Sequence, residues 1–391
     1  MNILLLAPHP FYQDRGTPIA VNLVLKVLSE RGDRVDVLTF HEGRAVDYPN
    51  VSIYRIPAWP FLRNIRPGFS WKKLICDGLL GVKLIVLLCQ KRYHLIHAVE
   101  ESAFMALVVK WILRIPYLYD MDSSLAQQMI EKYPRLASLS HAFTCCERQV
   151  VESASVVLPV CEALVTRIEP YHPLKVILLE DVPLLGESTE SSLMAKEDLT
   201  ASGIRILYVG NLETYQGIDL LLDSFALVLK EVPQSTLFIV GGEKDHRDFY
   251  HHKAERLGID RNVYFLGPRP LEQLSAYLSQ ADILVSPRIK GNNTPMKLYS
   301  YLASGKAVLA TNLVTHTQVI NSRVAMLADP NPEPFAEGML QLIKNQELRR
   351  TLGLAAQKLV EEKYSFPAFR MKLNAAYDYL RETVQQTSGT C

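Results

Sequence analysis

Short apolar runs alternate with longer amphipathic segments along this chain, and the whole alternation occurs twice. In the first half the apolar, strand-like runs are Ile3–Ala7, Arg34–Thr39, Val51–Ile56, Leu95–Ala98, Tyr117–Tyr119, Ser155–Leu158 and Lys175–Leu179. In the second half they are Ile204–Val209, Thr236–Val240, Val263–Leu266, Ile283–Val285, Val308–Ala310 and Val324–Leu327. Strands that alternate with helix-length segments form parallel sheets covered by helices. The sequence therefore predicts an α/β protein with two doubly wound, Rossmann-like domains.

Helices are predicted between the strands, for example over Ile19–Arg31, Gly217–Glu231 and Leu271–Ser279. A Ser/Thr/Glu-rich stretch without apolar periodicity separates the two halves and is typical of a linker. The predicted divisions are an N-terminal domain over 1–183, a linker over 184–202, a C-terminal domain over 203–366 and a last helix over 367–391 that packs back on the N-terminal domain. Ligands of doubly wound sheets bind at the carboxyl ends of the strands, so we expect a site in a cleft between the domains.

Composition excludes several classes of function. The 42 Lys and Arg residues balance 41 Asp and Glu residues, so no overall positive field attracts the chain to nucleic acid. The longest apolar run, Leu79–Cys89, is eleven residues long and contains Lys83, which is too short to span a bilayer. The first residues predict a buried strand and not a signal peptide. The six cysteines lack metal-binding spacing, so we expect reduced thiols, no metal and a cytoplasmic location.

The segment from Ser286 to Thr311 carries the sharpest motif. A strand ends at Pro287, a Gly/Asn loop follows, and a helix is predicted to begin with Thr294 as its cap and Pro295 at its first position. The amides of Met296, Lys297 and Leu298 would then lie free at the positive end of the helix dipole. Together with the nearby cations Arg288 and Lys297, such a helix start predicts a diphosphate site.

This segment resembles the nucleotide-sugar loop and helix of glycosyltransferase family 4, whose members are retaining enzymes of GT-B fold. Further segments resemble the family in the same order, namely Arg15–Pro18, Tyr208–Phe225, Val240–Gly242, Phe265–Arg269 and Ala281–Pro287. The resemblance implies transfer of a sugar from a UDP- or GDP-linked donor, with retention, to a glycan or lipid-linked acceptor. It also implies that the second domain holds the nucleotide and the first domain holds the acceptor, with no metal cofactor.

The resemblance and the helix start together imply a set of donor-binding residues. They are Gly16, Thr17, Gly210, Asn211, Gln216, Gly267, Arg269, Arg288, Asn292, Asn293, Thr294, Met296, Lys297, Leu298 and Ser300. Within this set Arg288, Lys297 and the amides of Gly16 and Met296 would contact the diphosphate. Asn292 would contact the donor sugar, Ser300 the ribose, and residues 266–269 the base.

Several family anchors are replaced in this chain. Two glutamates eight positions apart correspond to Asn292 and Ser300, and an Arg and a Lys that neutralise the diphosphate correspond to Asn211 and Gln216. A histidine of the acceptor-side loop corresponds to Asp122. One interpretation is that Arg288 and Lys297 have taken over the phosphate charge. The other is that the site no longer turns over a donor, which would make the chain a non-catalytic scaffold in a polysaccharide assembly complex; a sugar-nucleotide epimerase is a third possibility.

Retaining transfer does not require a dedicated base, because preorganised amides and cations stabilise the departing phosphate, which can take the acceptor proton. Asp122 or Asp120 could orient the acceptor or could simply stabilise their loop. Glu100 and Glu101 follow a predicted strand, where they could bind acceptor hydroxyls or only favour a helix N-terminus. His9 lies in the loop after the first predicted strand, and a role in the cleft is considered for it.

Charge is unevenly distributed within the first half. Between Arg55 and Arg92 the chain has eight basic residues and one acid, interleaved with Trp59, Phe61, Phe69 and Trp71. Basic and aromatic side chains together suit an anionic bilayer surface, although a solvated loop beside core aromatics would have the same composition. The sequence thus predicts contact of residues 55–92 with the inner leaflet and a peripheral association with the cytoplasmic membrane.

Overall fold

The computed structural model describes residues 1–13, 16–63, 65, 70–132, 139–184, 199 and 203–388. The chain divides into two compact units: unit 1 comprises Met1–Glu180 and Phe369–Cys391, and unit 2 comprises Asp181–Ala368. Most of the predicted linker over 184–202 lies outside the described residues, as do Asp14, Arg15 and Phe69. Each unit contains one six-stranded parallel sheet, which confirms the predicted α/β class.

The sheet of unit 1 has the strand order β3-β2-β1-β4-β5-β6. Its strands are β1 (Asn2–Ala7), β2 (Arg34–Thr39), β3 (Val51–Arg55), β4 (Leu95–Val99), β5 (Tyr117–Met121) and β6 (Val156–Pro159). The helices between them are α1 (Gly16–Glu30), α2 (Trp71–Gln90), α3 (Ser102–Leu113), α4 (Leu125–Lys132), α5 (Ser140–Ser153) and α6 (Glu162–Ile168). The order reverses between β1 and β4, so the loops that follow these two strands lie at the switch point, where doubly wound sheets bind ligands.

The predicted strand Lys175–Leu179 is wrong, because it makes only an isolated bridge between Val176 and Val157 of β6. The Val157 amide donates to the Lys175 carbonyl, and the Leu179 amide donates to the Pro159 carbonyl. The next bond in a parallel ladder would have to come from the nitrogen of Pro159, which carries no hydrogen. The ladder therefore stops after one bridge.

The sheet of unit 2 has the order β12-β11-β10-β7-β8-β9. Its strands are β7 (Arg205–Val209), β8 (Thr236–Val240), β9 (Val263–Gly267), β10 (Ile283–Ser286), β11 (Ala307–Thr311) and β12 (Met326–Ala328). Its helices are α7 (Ile218–Glu231), α8 (Lys244–Leu257), α9 (Leu274–Gln280), α10 (Met296–Ala303), α11 (Val314–Thr317), α12 (Pro332–Lys344) and α13 (Gln346–Lys363). The order reverses between β7 and β10, which places the loops after these strands at the switch point of this sheet.

Two predicted boundaries in the second half change. The strand predicted over Val324–Leu327 begins only at Met326, because the amides of Val324 and Ala325 both donate to the Asn321 carbonyl in a turn. The helix predicted over Leu271–Ser279 starts as a short 3-10 turn and becomes α9 at Leu274.

The last helix, α14 (Phe366–Ser388), begins in unit 2, and its remainder belongs to unit 1. Arg31, directly after α1, donates to the Asn374 side chain at 3.0 Å and pairs with Asp378 at 2.8 Å. Lys372 pairs with Glu180, the last residue of the N-terminal part of unit 1. These polar bonds fasten α14 to elements that lie far from it in sequence. Within the residues described, no helix is both long and apolar enough to cross a membrane.

Candidate functional site

Two cations lie at the carboxyl end of the unit 2 sheet, beside its switch point. Arg288 follows β10 directly, and Lys297 is in the first turn of α10. The Lys297 ammonium lies 3.8 Å from the centroid of the Tyr208 ring and donates a hydrogen bond of 3.2 Å to the side-chain carbonyl of Gln216. The Arg288 guanidinium lies 5.1 Å from the centroid of the Tyr215 ring. Cation–π contacts thus hold Lys297 against β7 itself and Arg288 against the segment that follows β7.

Neither cation forms an ion pair with a carboxylate in the described part of the chain. Burial lowers the pKa of Lys297 well below its usual range, and the neighbouring Arg288 charge lowers it further. Burial also lowers the pKa of Arg288. Two partly buried cations without a protein counter-charge form a site whose natural complement is an anion.

The start of α10 differs from the prediction. Pro295 and not Thr294 is the N-cap residue, and no side chain caps the helix. The Thr294 hydroxyl is buried without a hydrogen-bond partner among the described residues. The Leu298 amide is not free either, because it donates to the Pro295 carbonyl at 2.8 Å. The first two amides of α10, those of Met296 and Lys297, are the ones that helix geometry leaves for a ligand.

Two members of the predicted set, Leu298 and Ser300, have no exposed surface at all. Ser300 has no exposed surface, and its hydroxyl accepts a 2.9 Å bond from the Leu184 amide. The predicted contact between Ser300 and a ribose is therefore corrected: this hydroxyl holds the chain that leads into unit 2. Leu298 is likewise fully buried, in the core between α10 and the sheet, so its side chain is structural.

Other predicted residues lie around the two cations. Gly210 follows β7, and a Cβ placed there would lie 3.2 Å from the Lys297 ammonium. The Asn211 carbonyl accepts from the Tyr208 hydroxyl at 2.6 Å, and its side-chain amide is 3.5 Å from the Tyr215 hydroxyl. Asn292 is exposed in the loop before α10, where its carbonyl accepts from Gln318, and Asn293 is partly buried beside it.

Gly267 and Arg269 lie apart from this group. Gly267 ends β9 and Arg269 follows it; β9 is the edge strand and lies three strands from β10. At about 4.8 Å per strand this separation is about 14 Å. Arg269 is exposed and donates to the Tyr277 hydroxyl at 2.9 Å. A ligand that touched both groups would have to be extended across the sheet.

The close approach of Gly217 to the strand end leads to a stability prediction. Gly217 has a φ of 74°, and a Cβ placed there would lie 2.0 Å from the Pro287 carbonyl oxygen. Gly217→Ala should therefore destabilise the protein by about 2–4 kcal/mol, through the left-handed backbone and the clash combined. Gly258→Ala is the matched control, because Gly258 has a φ of 67° with nothing near the added carbon. It should lose only about 1 kcal/mol in the same calorimetric measurement, and equal losses would contradict the clash.

A buried histidine that the sequence analysis did not identify supports the loop after β10. The Nδ1 of His316 lies 2.9 Å from the Thr311 carbonyl, and its Nε2 lies 2.8 Å from the Ser286 hydroxyl. Because a carbonyl only accepts, Nδ1 carries the hydrogen and Ser286 donates to Nε2. Burial lowers the pKa of His316 to about 3, and the charges of Lys297 and Arg288 lower it as well. The ring is therefore neutral and joins the ends of β10 and β11.

In unit 1, Asp120 belongs to a buried hydrogen-bonded chain. The Nε2 of His97 in β4 lies 3.1 Å from the Asp120 carboxylate, and its Nδ1 lies 2.7 Å from the Tyr377 hydroxyl of α14. The carboxylate only accepts, so Nε2 donates to it, and the Tyr377 hydroxyl forms the hydrogen bond at Nδ1. The Asp120 carboxyl group thus has a structural hydrogen bond within unit 1. Asp122, one residue after β5, is partly buried, and its contact with an acceptor stays a prediction.

A group of carboxylates lies near the start of α3. Glu101 pairs with Lys73 of α2, and Glu100 has a left-handed φ of 47°. Burial raises the pKa of Glu100 to about 7, and the Glu101 charge adds to this effect. Burial likewise raises the pKa of Asp77 to about 7. Perturbed carboxyls at a strand end are typical of functional sites, although buried structural groups behave in the same way.

These shifts predict a pH dependence of stability. Glu100 binds its proton more tightly in the folded chain than in the unfolded one, so the folded state loses stability as the pH rises from about 4.5 to about 7. Glu100→Gln should raise stability at pH 8 by about 1 kcal/mol, or about 2–4 °C in Tm, and change little at pH 4. Scanning calorimetry at both pH values checks this. Glu152→Gln, at an exposed position of α5, is the control, and a gain of equal size at pH 4 would rule out titration as the cause.

The remaining candidates of unit 1 lie near its first strand. Gly16 and Thr17 are in the first turn of α1, which begins three residues before the helix start predicted at Ile19. Their contact with phosphate stays a prediction. Burial lowers the pKa of His9 to about 4, so this side chain is neutral. The described residues contain no group of three or more His, Cys, Asp or Glu side chains that could hold a metal ion.

Two family models match the chain along most of its length. The model for glycosyl transferases group 1 matches residues 191–359, and that for the glycosyl transferase 4-like domain matches residues 15–173. An uncharacterized glycosyltransferase of Methanocaldococcus jannaschii is 22% identical over 335 residues, which cover 82% of this chain and 78% of that protein. The D-inositol 3-phosphate glycosyltransferase of Corynebacterium efficiens is 24% identical over 375 residues, covering 90% and 87%.

Solved structures show the same fold. The sucrose-phosphate synthase of Thermosynechococcus elongatus superposes with a TM-score of 0.77 at 19% identity, covering 98% of this chain and 99% of its own. Anabaena HepE, solved in complex with UDP-glucose, superposes with a TM-score of 0.74 at 17% identity, covering 97% and 99%.

Proposed function

Because this chain belongs to glycosyltransferase family 4, we propose that it transfers a sugar, with retention, from a nucleotide-sugar donor to a glycan or lipid-linked acceptor. It is a glycosyltransferase by family, and its fold is that of the GT-B enzymes. The observation that carries the proposal is the pair of cations at the switch point of unit 2. Arg288 and Lys297 are partly buried, adjacent to a helix start, and unmatched by any carboxylate of the described chain.

In the proposed reaction the donor diphosphate binds at the start of α10. The Lys297 ammonium, the Arg288 guanidinium and the amides of Met296 and Lys297 stabilise the negative charge that develops as the bond between the anomeric carbon and the phosphate oxygen breaks. The acceptor hydroxyl attacks the anomeric carbon from the same face and gives its proton to the departing phosphate. Asp122 orients the acceptor in unit 1, and the exposed Asn292 contacts the donor sugar.

The position of the Lys297 ammonium supports the relocation of phosphate charge. Gln216 corresponds to the lysine that neutralises the diphosphate in the family, and Lys297 donates to the side chain of Gln216 at 3.2 Å. A positive charge therefore lies within hydrogen-bond distance of the replaced lysine position. This contact favours a working donor site over a scaffold that has lost its charges.

Known relatives suggest the class of donor. Anabaena HepE was solved with UDP and with UDP-glucose, and by that likeness we propose a UDP-linked sugar for this chain. A GDP-linked sugar, which the family resemblance also allows, is the alternative. The base would lie near Gly267 and Arg269, which are about 14 Å from β10 across the sheet. No metal is required, because the cations and the helix start supply the positive charge.

Titration calorimetry of the full chain with UDP and GDP tests the proposal. Binding of one of them is expected, and the absence of binding by either contradicts a donor site. Product analysis with the matching sugar nucleotide then separates the alternatives. An epimerase changes the donor without an acceptor, and a scaffold binds partner proteins but releases no sugar.

We further propose that the enzyme works in the cytoplasm at the surface of the cytoplasmic membrane, where lipid-linked acceptors are found. Contact of residues 55–92 with the inner leaflet would serve this purpose, since that stretch combines basic and aromatic side chains.

A further inference from the structure

Helix α2 is apolar on the side that faces solvent as well as on the side that faces the sheet. Its inward residues include the buried Leu80 and Leu84, whereas Trp71, Val82 and Ile85 are exposed, with 62% of Val82 accessible. A surface helix of a soluble domain ordinarily carries polar residues on its outer side. No other element in the described part of unit 1 therefore covers the outer side of α2.

Helix α3 repeats this pattern. Val108, Trp111 and Ile112 are exposed, with 72% of Ile112 accessible. The buried side chains of α2 and α3 belong to one core cluster with Leu4 and Leu6 of β1, so both helices cover the same face of the sheet. We call the outward apolar side chains of the two helices the α2–α3 surface. Exposed apolar side chains gathered on helices that cover one face of a domain mark interaction sites.

Within the segment from Trp71 to Arg114 the exposed charges have one sign. Between Trp71 and Arg114 the acids are Asp77, Glu100 and Glu101, and none of them is exposed. Exposed cations lie at the margins instead, namely Arg63, Arg92 and Arg114. A partner for this surface must be apolar at its centre and negatively charged around it, and a bilayer with anionic headgroups has both properties.

The tryptophans support the same partner. The chain has three, Trp59, Trp71 and Trp111, and all are exposed in this part of unit 1, by 42%, 59% and 62%. Trp59 is also in contact with the exposed Phe61, with ring centroids 5.4 Å apart. Tryptophan is the side chain most typical of the boundary between headgroups and acyl chains.

We infer that the α2–α3 surface docks unit 1 on an anionic lipid bilayer. The inference deepens the proposed membrane contact of residues 55–92, because it adds α3, which lies outside that stretch. Only the purpose of the docking, which is access to a lipid-linked acceptor, rests on the proposed function.

Vesicle binding of the full chain tests the inference. With phosphatidylcholine vesicles that contain phosphatidylglycerol, we expect cosedimentation and a blue shift of tryptophan emission, both weakened by salt. Pure phosphatidylcholine should bind less. The absence of binding to the anionic vesicles would overturn the inference, and UDP and GDP titrations of the same sample keep that failure distinct from failure of the donor site.

Two double variants locate the contact. Trp111→Ser with Ile112→Ser on α3, and Val82→Ser with Ile85→Ser on α2, should each weaken vesicle binding by at least about tenfold, because each removes two apolar side chains from the interface. Leu354→Ser, at a position of α13 that is 58% exposed, should bind as the wild type does. Unchanged binding of both double variants would overturn the inference. So would a wild-type dimer that the α3 variant dissociates in analytical ultracentrifugation, because the surface would then join two copies.

Discussion

Replacing Lys297 with alanine is expected to weaken the binding of a nucleoside diphosphate by about ten- to hundredfold. The lysine would form charge-assisted hydrogen bonds to phosphate, which contribute about 1.5–3 kcal/mol each. The unliganded protein should not lose stability at neutral pH. Burial lowers the pKa of Lys297, so the folded chain holds the charged ammonium less favourably than the unfolded chain does. Titration calorimetry gives the affinity, and thermal unfolding without nucleotide gives the stability.

Lys358→Ala is the matched control for this variant. Lys358 is an exposed lysine of the same unit that lies 3.8 Å from Glu362, and its removal should leave nucleotide affinity unchanged. Two results would count against the assignment. If Lys297→Ala bound nucleotide as tightly as the wild type, the lysine would lie outside the site. If the variant unfolded at a much lower temperature, its role would be structural.

The second large effect is expected for His97→Ala. This change removes the ring that lies between the Asp120 carboxylate and the Tyr377 hydroxyl, and it leaves both groups buried without that partner. A buried polar group left without its hydrogen-bond partner typically costs about 1–3 kcal/mol, so the two groups together give about 2–6 kcal/mol. We expect a loss of this size, measured by calorimetry, with faster amide exchange in β4 and β5.

Tyr377→Phe separates the two halves of this hydrogen-bonded chain. It removes one hydroxyl and keeps the ring, so the loss should be about 1 kcal/mol. Equal losses for the two variants would show that the Asp120 contact contributes little. His97→Ala should leave nucleotide affinity unchanged, because His97 belongs to unit 1 and the cations that we assign to the diphosphate belong to unit 2.

The order of strands and helices could be predicted because apolar periodicity is local. Eleven of the predicted strands differ from the structure only at their ends, whereas Lys175–Leu179 and Val324–Leu327 differ more. In the first case the pairing depends on the missing hydrogen of Pro159, a residue of another segment. In the second it depends on a turn closed by the Asn321 carbonyl. Neither effect shows in the periodicity of the segment itself.

The candidate site was predictable only in part, for a related reason. Arg288 and Lys297 could be found because they flank a loop and a helix start that the sequence displays. The rings of Tyr208 and Tyr215 that hold them come from a distant segment, and the sequence does not show which aromatic side chain meets which cation. The predicted ribose contact of Ser300 was wrong, because a position in a helix does not show that the hydroxyl bonds the Leu184 amide.

The hydrogen-bonded pair of His97 and Asp120 was not predicted from the sequence. His97 lies within a predicted strand, where a polar residue looks like an exception to the apolar pattern and not like a site. Asp120 directly follows the predicted strand Tyr117–Tyr119 and was considered only for contact with an acceptor or for stabilising its loop. Their partner Tyr377 is far away in the chain. A search for polar residues inside or directly after apolar runs of neighbouring strands would have identified the pair but not the tyrosine.

The membership of α14 in unit 1 has a consequence for how the protein is made. Residues 1–180 leave the ribosome before the whole of unit 2, and their partners Asn374, Tyr377 and Lys372 follow only after it. At about 5–20 residues per second this delay is about 10–40 s. During this time Arg31, His97 and Glu180 are synthesised but their partners in α14 are not. Unit 2 can therefore complete its fold before unit 1 does, although unit 1 is synthesised first.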